Sequence, residues 1–96
     1  MESIITDNMR ECAICHRRPV EIHHVIFGTA NRELSDKFGL IVPLCPYHHR
    51  EGPTAVHAHR PADMYFKKLA QEQFKKVWKD YDFRTVFGKE WFEEDE

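Results

Sequence analysis

No apolar run in this chain approaches the roughly 20 residues that a membrane-spanning helix requires, which excludes a helical membrane protein. The start, Met1-Glu-Ser-Ile-Ile-Thr-Asp7, lacks a basic region followed by a long apolar stretch and a small-residue cleavage site, which argues against secretion and for the cytoplasm. There is no internal repeat and no linker long enough to divide the chain, and 96 residues make one domain. An excess of positive charge is also missing. The formal net charge of −2 argues against binding nucleic acid through bulk charge. That deficit is local: residues 90–96 hold five acids and no base, leaving residues 1–89 with 14 bases against 11 acids, a formal +3. Any nucleic-acid affinity is therefore expected to be local, modest and sensitive to salt.

Cysteine is present in an odd number, and three thiols cannot all pair with one another. In a reducing compartment, Cys12-x2-Cys15 with a distant Cys45 reads as metal ligation rather than as disulfides. Seven histidines in 96 residues strengthen this. Zinc takes four tetrahedral sulfur or imidazole ligands, and two-residue gaps let a ligand pair close on one ion from a single turn. Cys12-x2-Cys15 and Cys45-x2-His48 are two such pairs, 29 residues apart. The competing view makes Cys45 a buried core cysteine and Cys12 and Cys15 a surface pair. A composition of 42% apolar and 12% aromatic residues is globular rather than disordered. A chain this short buries only roughly two thirds of its unfolded surface, so a structural metal would supplement a thin core. Its loss would destabilise the fold before altering any chemistry.

The pattern of elements is that of an α+β fold. Residues 1–10 show no periodicity and are expected to be a poorly ordered lead-in, and residues 11–18 form a knuckle. The alternating, β-branched stretch Pro19–Phe27 predicts a strand, residues 28–39 a polar connector, and Leu40–Leu44 a short strand whose Pro43 marks an edge or an end. A short helix is expected from Tyr47, and residues 50–61, with two prolines and a glycine, are loop-like. From Ala62 to about Tyr81, Phe66, Leu69, Ala70, Phe74, Val77, Trp78 and Tyr81 recur at three- and four-residue steps. Between them Lys67, Lys68, Lys75, Lys76 and Lys79 form a solvated face, with DNA contact as its lesser role. Aromatics from Phe83 to Phe92 suggest a last short helix folded back.

Two histidine pairs carry the chemistry: Glu21-Ile-His23-His24-Val25 and Leu44-Cys-Pro-Tyr-His48-His49. Phosphodiester hydrolysis needs a base for water and a cation for the phosphate, and imidazole can serve the first role near neutral pH and hold the ion in the second. Adjacent strand residues point to opposite faces, so His23 and His24 can serve one site only if the backbone bends, which the Gly28 loop would allow.

With the Cys-x2-Cys knuckle ahead of them, these elements resemble the HNH, or ββα-metal, endonuclease family over roughly residues 12–60. The runs His-His-Val-Ile-Phe-Gly-Thr-Ala-Asn-Arg and Lys-Phe-Gly-Leu-Ile-Val-Pro-Leu-Cys-Pro-Tyr-His-His-Arg look like small phage and prophage members, so the compartment would be the host cytoplasm. The resemblance implies a zinc-stabilised ββα-metal core over residues 11–60 and a helical extension over 62–96. His24 would be the general base, with His23 and His49 as ligands of a catalytic Mg2+ or Mn2+. The position of the family's third ligand holds Pro53, so His57, or failing it His59, would substitute. Asn31 would support the loop and orient the base in place of the displaced family asparagine. DNA is the implied partner, and Arg17, Arg18, Arg50 and Arg60 are candidate phosphate contacts, each of which also reads as a solvated surface charge. His16 has no role beyond knuckle packing. Two other readings stand beside this one: a non-catalytic zinc module that docks nucleic acid or a phage protein, and a nuclease active only with a partner such as a recombination protein.

Overall fold

The computed structural model describes residues 2–91. Strands β1 (Glu21–His24) and β2 (Ile41–Leu44) pair antiparallel and are joined by helix α1 (Thr29–Phe38). A single π turn (Tyr47–Glu51) follows, then helices α2 (Arg60–Val77) and α3 (Phe83–Phe87). The fold is thus α+β, with Glu21 opposite Leu44, Ile22 opposite Pro43, His23 opposite Val42 and His24 opposite Ile41. In a two-stranded sheet both strands are edges, which is where a proline such as Pro43 is tolerated.

Within the expected polar connector, Thr29–Phe38 is helical. Among the described side chains of α1 only Ser35 and Phe38 are buried, a stripe too narrow to show as periodicity. Ser35 is the reason the helix docks: its hydroxyl donates to Ile26 O at 2.6 Å and accepts from Ile26 N–H at 3.1 Å, replacing a strand partner. Gly39 ends α1 in the left-handed region, φ 81°. A Cβ there would stand 2.7 Å from Glu2 O. Gly39→Ala is therefore expected to cost roughly 1–2 kcal/mol for the left-handed backbone and more for the contact, read by urea unfolding; unchanged stability would refute this.

The expected disorder of the lead-in is likewise corrected. Ile4 N–H donates to Gly39 O at 2.9 Å and the Ser3 hydroxyl to Ile41 O at 2.6 Å, so residues 3 and 4 are pinned to the start of β2.

Helix α2 starts at Arg60, ahead of the expected Ala62, because Pro61 pre-sets the first-turn backbone; it stops at Val77, short of Tyr81. Phe66, Ala70 and Phe74 form its buried stripe. Phe74 stacks edge-on against Phe38 (5.3 Å), Phe83 (5.3 Å) and Phe87 (5.9 Å), and Trp78 Nε1–H donates to Phe38 O at 2.9 Å, so α2 and α3 close the core over α1. Lys67 departs from the solvated face assigned to it. It is only 4% exposed, its Nζ 2.6 Å from Asp63 and 3.9 Å above the Phe27 ring. Burial lowers its pKa while Asp63 raises it. Asp82 caps α3, accepting from Thr85 N–H (2.9 Å) and the Thr85 hydroxyl (2.8 Å). The last helix ends at Phe87, and Phe92 with the acids from Glu93 to Glu96 lies outside the described residues. No helix among the described residues is long and apolar enough to cross a membrane.

Candidate metal centres

The knuckle closes on itself before any metal is considered. Cys12 N–H donates to Arg17 O (3.0 Å) and His16 N–H to Cys12 O (2.9 Å), with His16 in the left-handed region at φ 67°. Ala13 N–H donates to Pro43 O at 2.8 Å, hanging the knuckle on β2. Cys45 follows β2 directly, and His48 comes three residues later on the π turn. The spacings are 3.6 Å for Cys15 Sγ to Cys45 Sγ, 3.4 Å for Cys45 Sγ to His48 Nδ1, and 3.8 Å for Cys12 Sγ to His48 Nδ1. A tetrahedron with zinc–sulfur bonds of about 2.3 Å and zinc–nitrogen bonds of about 2.0 Å puts its corners roughly 3.5–3.8 Å apart. The four atoms are therefore compatible with a zinc site, and the cluster accounts for all three cysteines, Cys45 included. Burial pushes the Cys12 thiol up, but N–H groups of Cys45, Cys15 and Ile14 outweigh it and bring it down to about 6. Burial raises Cys15, and the neighbouring Cys45 and Cys12 add to that rise.

A second cluster is built from β1, the π turn and the loop that returns to it. His23 is 1% exposed on β1, and His49 follows His48 on the turn. Val56 N–H donates to His48 O (2.9 Å) and His57 N–H to His49 O (3.3 Å), folding the loop back so that His57 meets His49. Gly52 permits that return at close quarters, since a Cβ there would fall 2.7 Å from the Tyr47 ring. One nitrogen from each of His23, His49 and His57 lies within 4.8 Å of the others, and the His49 and His57 Nε2 atoms are 3.2 Å apart. His23 Nε2 is buried with no hydrogen-bond partner among the described residues. A buried nitrogen left unpaired costs about 1–3 kcal/mol, and the His49–His57 contact, a hydrogen bond when His57 carries its proton on Nε2, does not satisfy His23. A cation would supply the missing partner, so the three residues fit a metal ion.

Glu21 fixes the orientation of this set. His49 Nδ1–H donates to Glu21 Oε1 at 2.6 Å, which leaves Nε2 free to face the cluster. Arg50 holds the same carboxylate through Nη2 (2.7 Å) and Nε (3.2 Å), and reaches Glu51 at 3.3 Å. Arg50 first, then His49, brings the Glu21 carboxyl down to about 2. Arg50, expected to contact phosphate, is thus engaged with carboxylates.

His24 lies beside the cluster. With His23, His49, His57, Ile22, Phe27 and Arg32 it lines a cavity of about 210 Å3. The chain bends at Val25 and Ile26, immediately after β1, and again at Gly28, where the sequence predicts the bend. The Asp36 carboxylate stands 3.6 Å from His24 Nε2. Asn31, half-buried in the first turn of α1, neither lines this cavity nor hydrogen-bonds a histidine. His59 caps α2 outside the cluster, so His57 is the residue brought to His23 and His49. Arg17 and Arg18 are exposed on the knuckle and Arg60 is exposed at the start of α2; none of them lines the cavity.

No family model, curated protein or solved structure matches this chain. The geometry alone therefore carries the functional argument. Three of its participants escape sequence reasoning: Glu21, Arg32 and Asp36. Glu21 had a signal, standing two residues before His23 and so on the same strand face. Arg32 and Asp36 lie four apart on α1, a shared face that is invisible while that segment reads as a connector.

Burial first, then repulsion from the ionisable neighbours His57, His49, Lys67 and His24, brings the His23 pKa down to about 3. Its value in the unfolded chain is about 6.5, so the stability it contributes is complete above that pH. It is lost as pH falls from about 6.5 toward about 3, by up to about 1.4 kcal/mol per pH unit. The urea midpoint of zinc-loaded protein is expected to fall between pH 7 and 5, and to fall less in His23→Leu, where zinc-ligand protonation is shared and cancels. Identical pH dependence in the two proteins would refute this.

Proposed function

We propose that the protein is a zinc-stabilised endonuclease of the ββα-metal (HNH) type that hydrolyses DNA phosphodiester bonds with a divalent cation held by His23, His49 and His57. The observation that carries this is the convergence of those three imidazoles on one cavity that a fourth, His24, also lines. The antiparallel pair β1–β2, followed by the π turn and α2, supports that architecture. A divalent cation, Mg2+ or Mn2+, would supply charge neutralisation at the scissile phosphate and leaving oxygen; manganese suits three nitrogen donors better than magnesium, which prefers oxygen.

The chain's own residues do the rest. His24 accepts the proton from the attacking water, a task imidazole performs near neutral pH. Asp36, at 3.6 Å, favours the protonated ring that results. Glu21 and Arg50 hold His49 in the ligating tautomer. The exposed Arg17, Arg18 and Arg60 contact the DNA backbone. Cleavage leaves a 3′-hydroxyl and a 5′-phosphate, as the family resemblance implies.

The test is nicking of supercoiled plasmid and single-stranded circular DNA with Mg2+ or Mn2+, with chelator, and with His24→Ala. Metal-dependent nicking that disappears in folded His24→Ala supports the nuclease. No cutting of either substrate, with zinc bound and the fold intact, rejects the enzyme acting alone and leaves a docking module or a partner-dependent nuclease.

A further inference from the structure

We propose that Arg32 grips the phosphodiester seated against the His23–His49–His57 centre, an inference that rests on the nuclease function above. Every side chain lining the 210 Å3 cavity is neutral or basic, and none is a carboxylate. The nearest acids are already engaged: Glu21 lies against His49 and Arg50, and Asp36 against His24. With three neutral imidazoles as ligands, a divalent cation would keep its full charge, so the cavity is built to accept an anion.

Arg32 is the one permanently charged residue in that lining. Its side chain is exposed and makes no hydrogen bond or ion pair among the described residues. Its place is fixed from below, because its N–H donates to Gly28 O at 3.0 Å in the first turn of α1. The other arginine near the centre, Arg50, is committed to Glu21 and Glu51. A guanidinium presents two parallel N–H groups that match two phosphate oxygens, a geometry lysine lacks. The cavity volume suits a phosphate group with part of its sugar, while Ile22 and Phe27, 45% and 42% exposed at its edge, offer apolar support to the neighbouring nucleotide.

The experiment uses the full chain, loaded with zinc and Mn2+, and dimethyl phosphate as probe. Paramagnetic relaxation of the probe's 31P signal by protein-bound manganese reports its affinity, and manganese stoichiometry is measured in parallel. The expected result is at least tenfold weaker binding by Arg32→Ala with manganese content unchanged, and an intermediate value for Arg32→Lys. Equal affinity in wild type and Arg32→Ala, or no relaxation by wild type, overturns the proposal. Plasmid nicking separates the two claims. A wild type that binds the probe through Arg32 yet cuts no DNA keeps the anion site and rejects the nuclease acting alone. A wild type that nicks DNA, with KM unchanged in Arg32→Ala, keeps the nuclease and rejects Arg32.

Discussion

Replacing Cys45 with serine is expected to unfold the protein rather than merely to slow it. Cys45 is 3% exposed at the end of β2, and its sulfur sits 3.4 Å from His48 Nδ1 and 3.6 Å from Cys15 Sγ. Structural zinc contributes about 10–16 kcal/mol of apparent binding energy in small finger peptides, whereas a whole domain is stable by only about 5–15 kcal/mol. Losing one ligand of four therefore removes an amount comparable with the total. The unfolding should show as loss of far-UV circular dichroism together with loss of stoichiometric zinc, and strong chelator on wild type should reproduce it. Because His48 and His49 are consecutive, the histidine centre should be lost with the zinc. A serine variant that keeps its fold without zinc would mean the core alone suffices and the cluster is incidental.

His24→Ala and His49→Ala should fail in different ways. A positioned general base contributes about 10²–10⁴-fold to rate, so His24→Ala should lower kcat by about that factor with KM and bound manganese little changed. His49→Ala should instead lose manganese, since it removes one of three ligands and leaves the Glu21–Arg50 pair with nothing to hold. Turnover by His24→Ala at the wild-type rate would place the base elsewhere. Manganese bound normally by His49→Ala would dissolve the three-histidine centre.

What the sequence discloses is whatever closes locally. Cys12-x2-Cys15 and Cys45-x2-His48 are visible because each pair brings its two donor atoms together within a single turn, and α2 is visible because Phe66, Ala70 and Phe74 repeat at four residues. His57 can be named from the string but not placed, since its position depends on two N–H groups returning to His48 and His49. Helix α1 escapes because its docking residue, Ser35, counts as polar while bonding Ile26 on both sides. Lys67 misleads in the opposite sense, a charge buried by Asp63 and Phe27 where helical spacing alone sends it to water. Both misses involve a polar side chain covered by a distant segment, Ile26 for Ser35 and the Phe27 ring for Lys67, which no local pattern encodes.

The π turn sets a rule for how the gene can change length. His48 and His49 are neighbours in the chain, yet one lies among the cysteines and the other beside His23 and His57. An inserted or deleted codon between Cys45 and His49 would rotate the later residues by roughly 90–100° about the turn and separate the ligand sets. Pro53 and Thr54, in the returning loop, are exposed and make no bond to either centre. In a library of single-codon insertions and deletions selected for function, survivors should collect at Pro53 and Thr54, and the five codons from Cys45 to His49 should tolerate none.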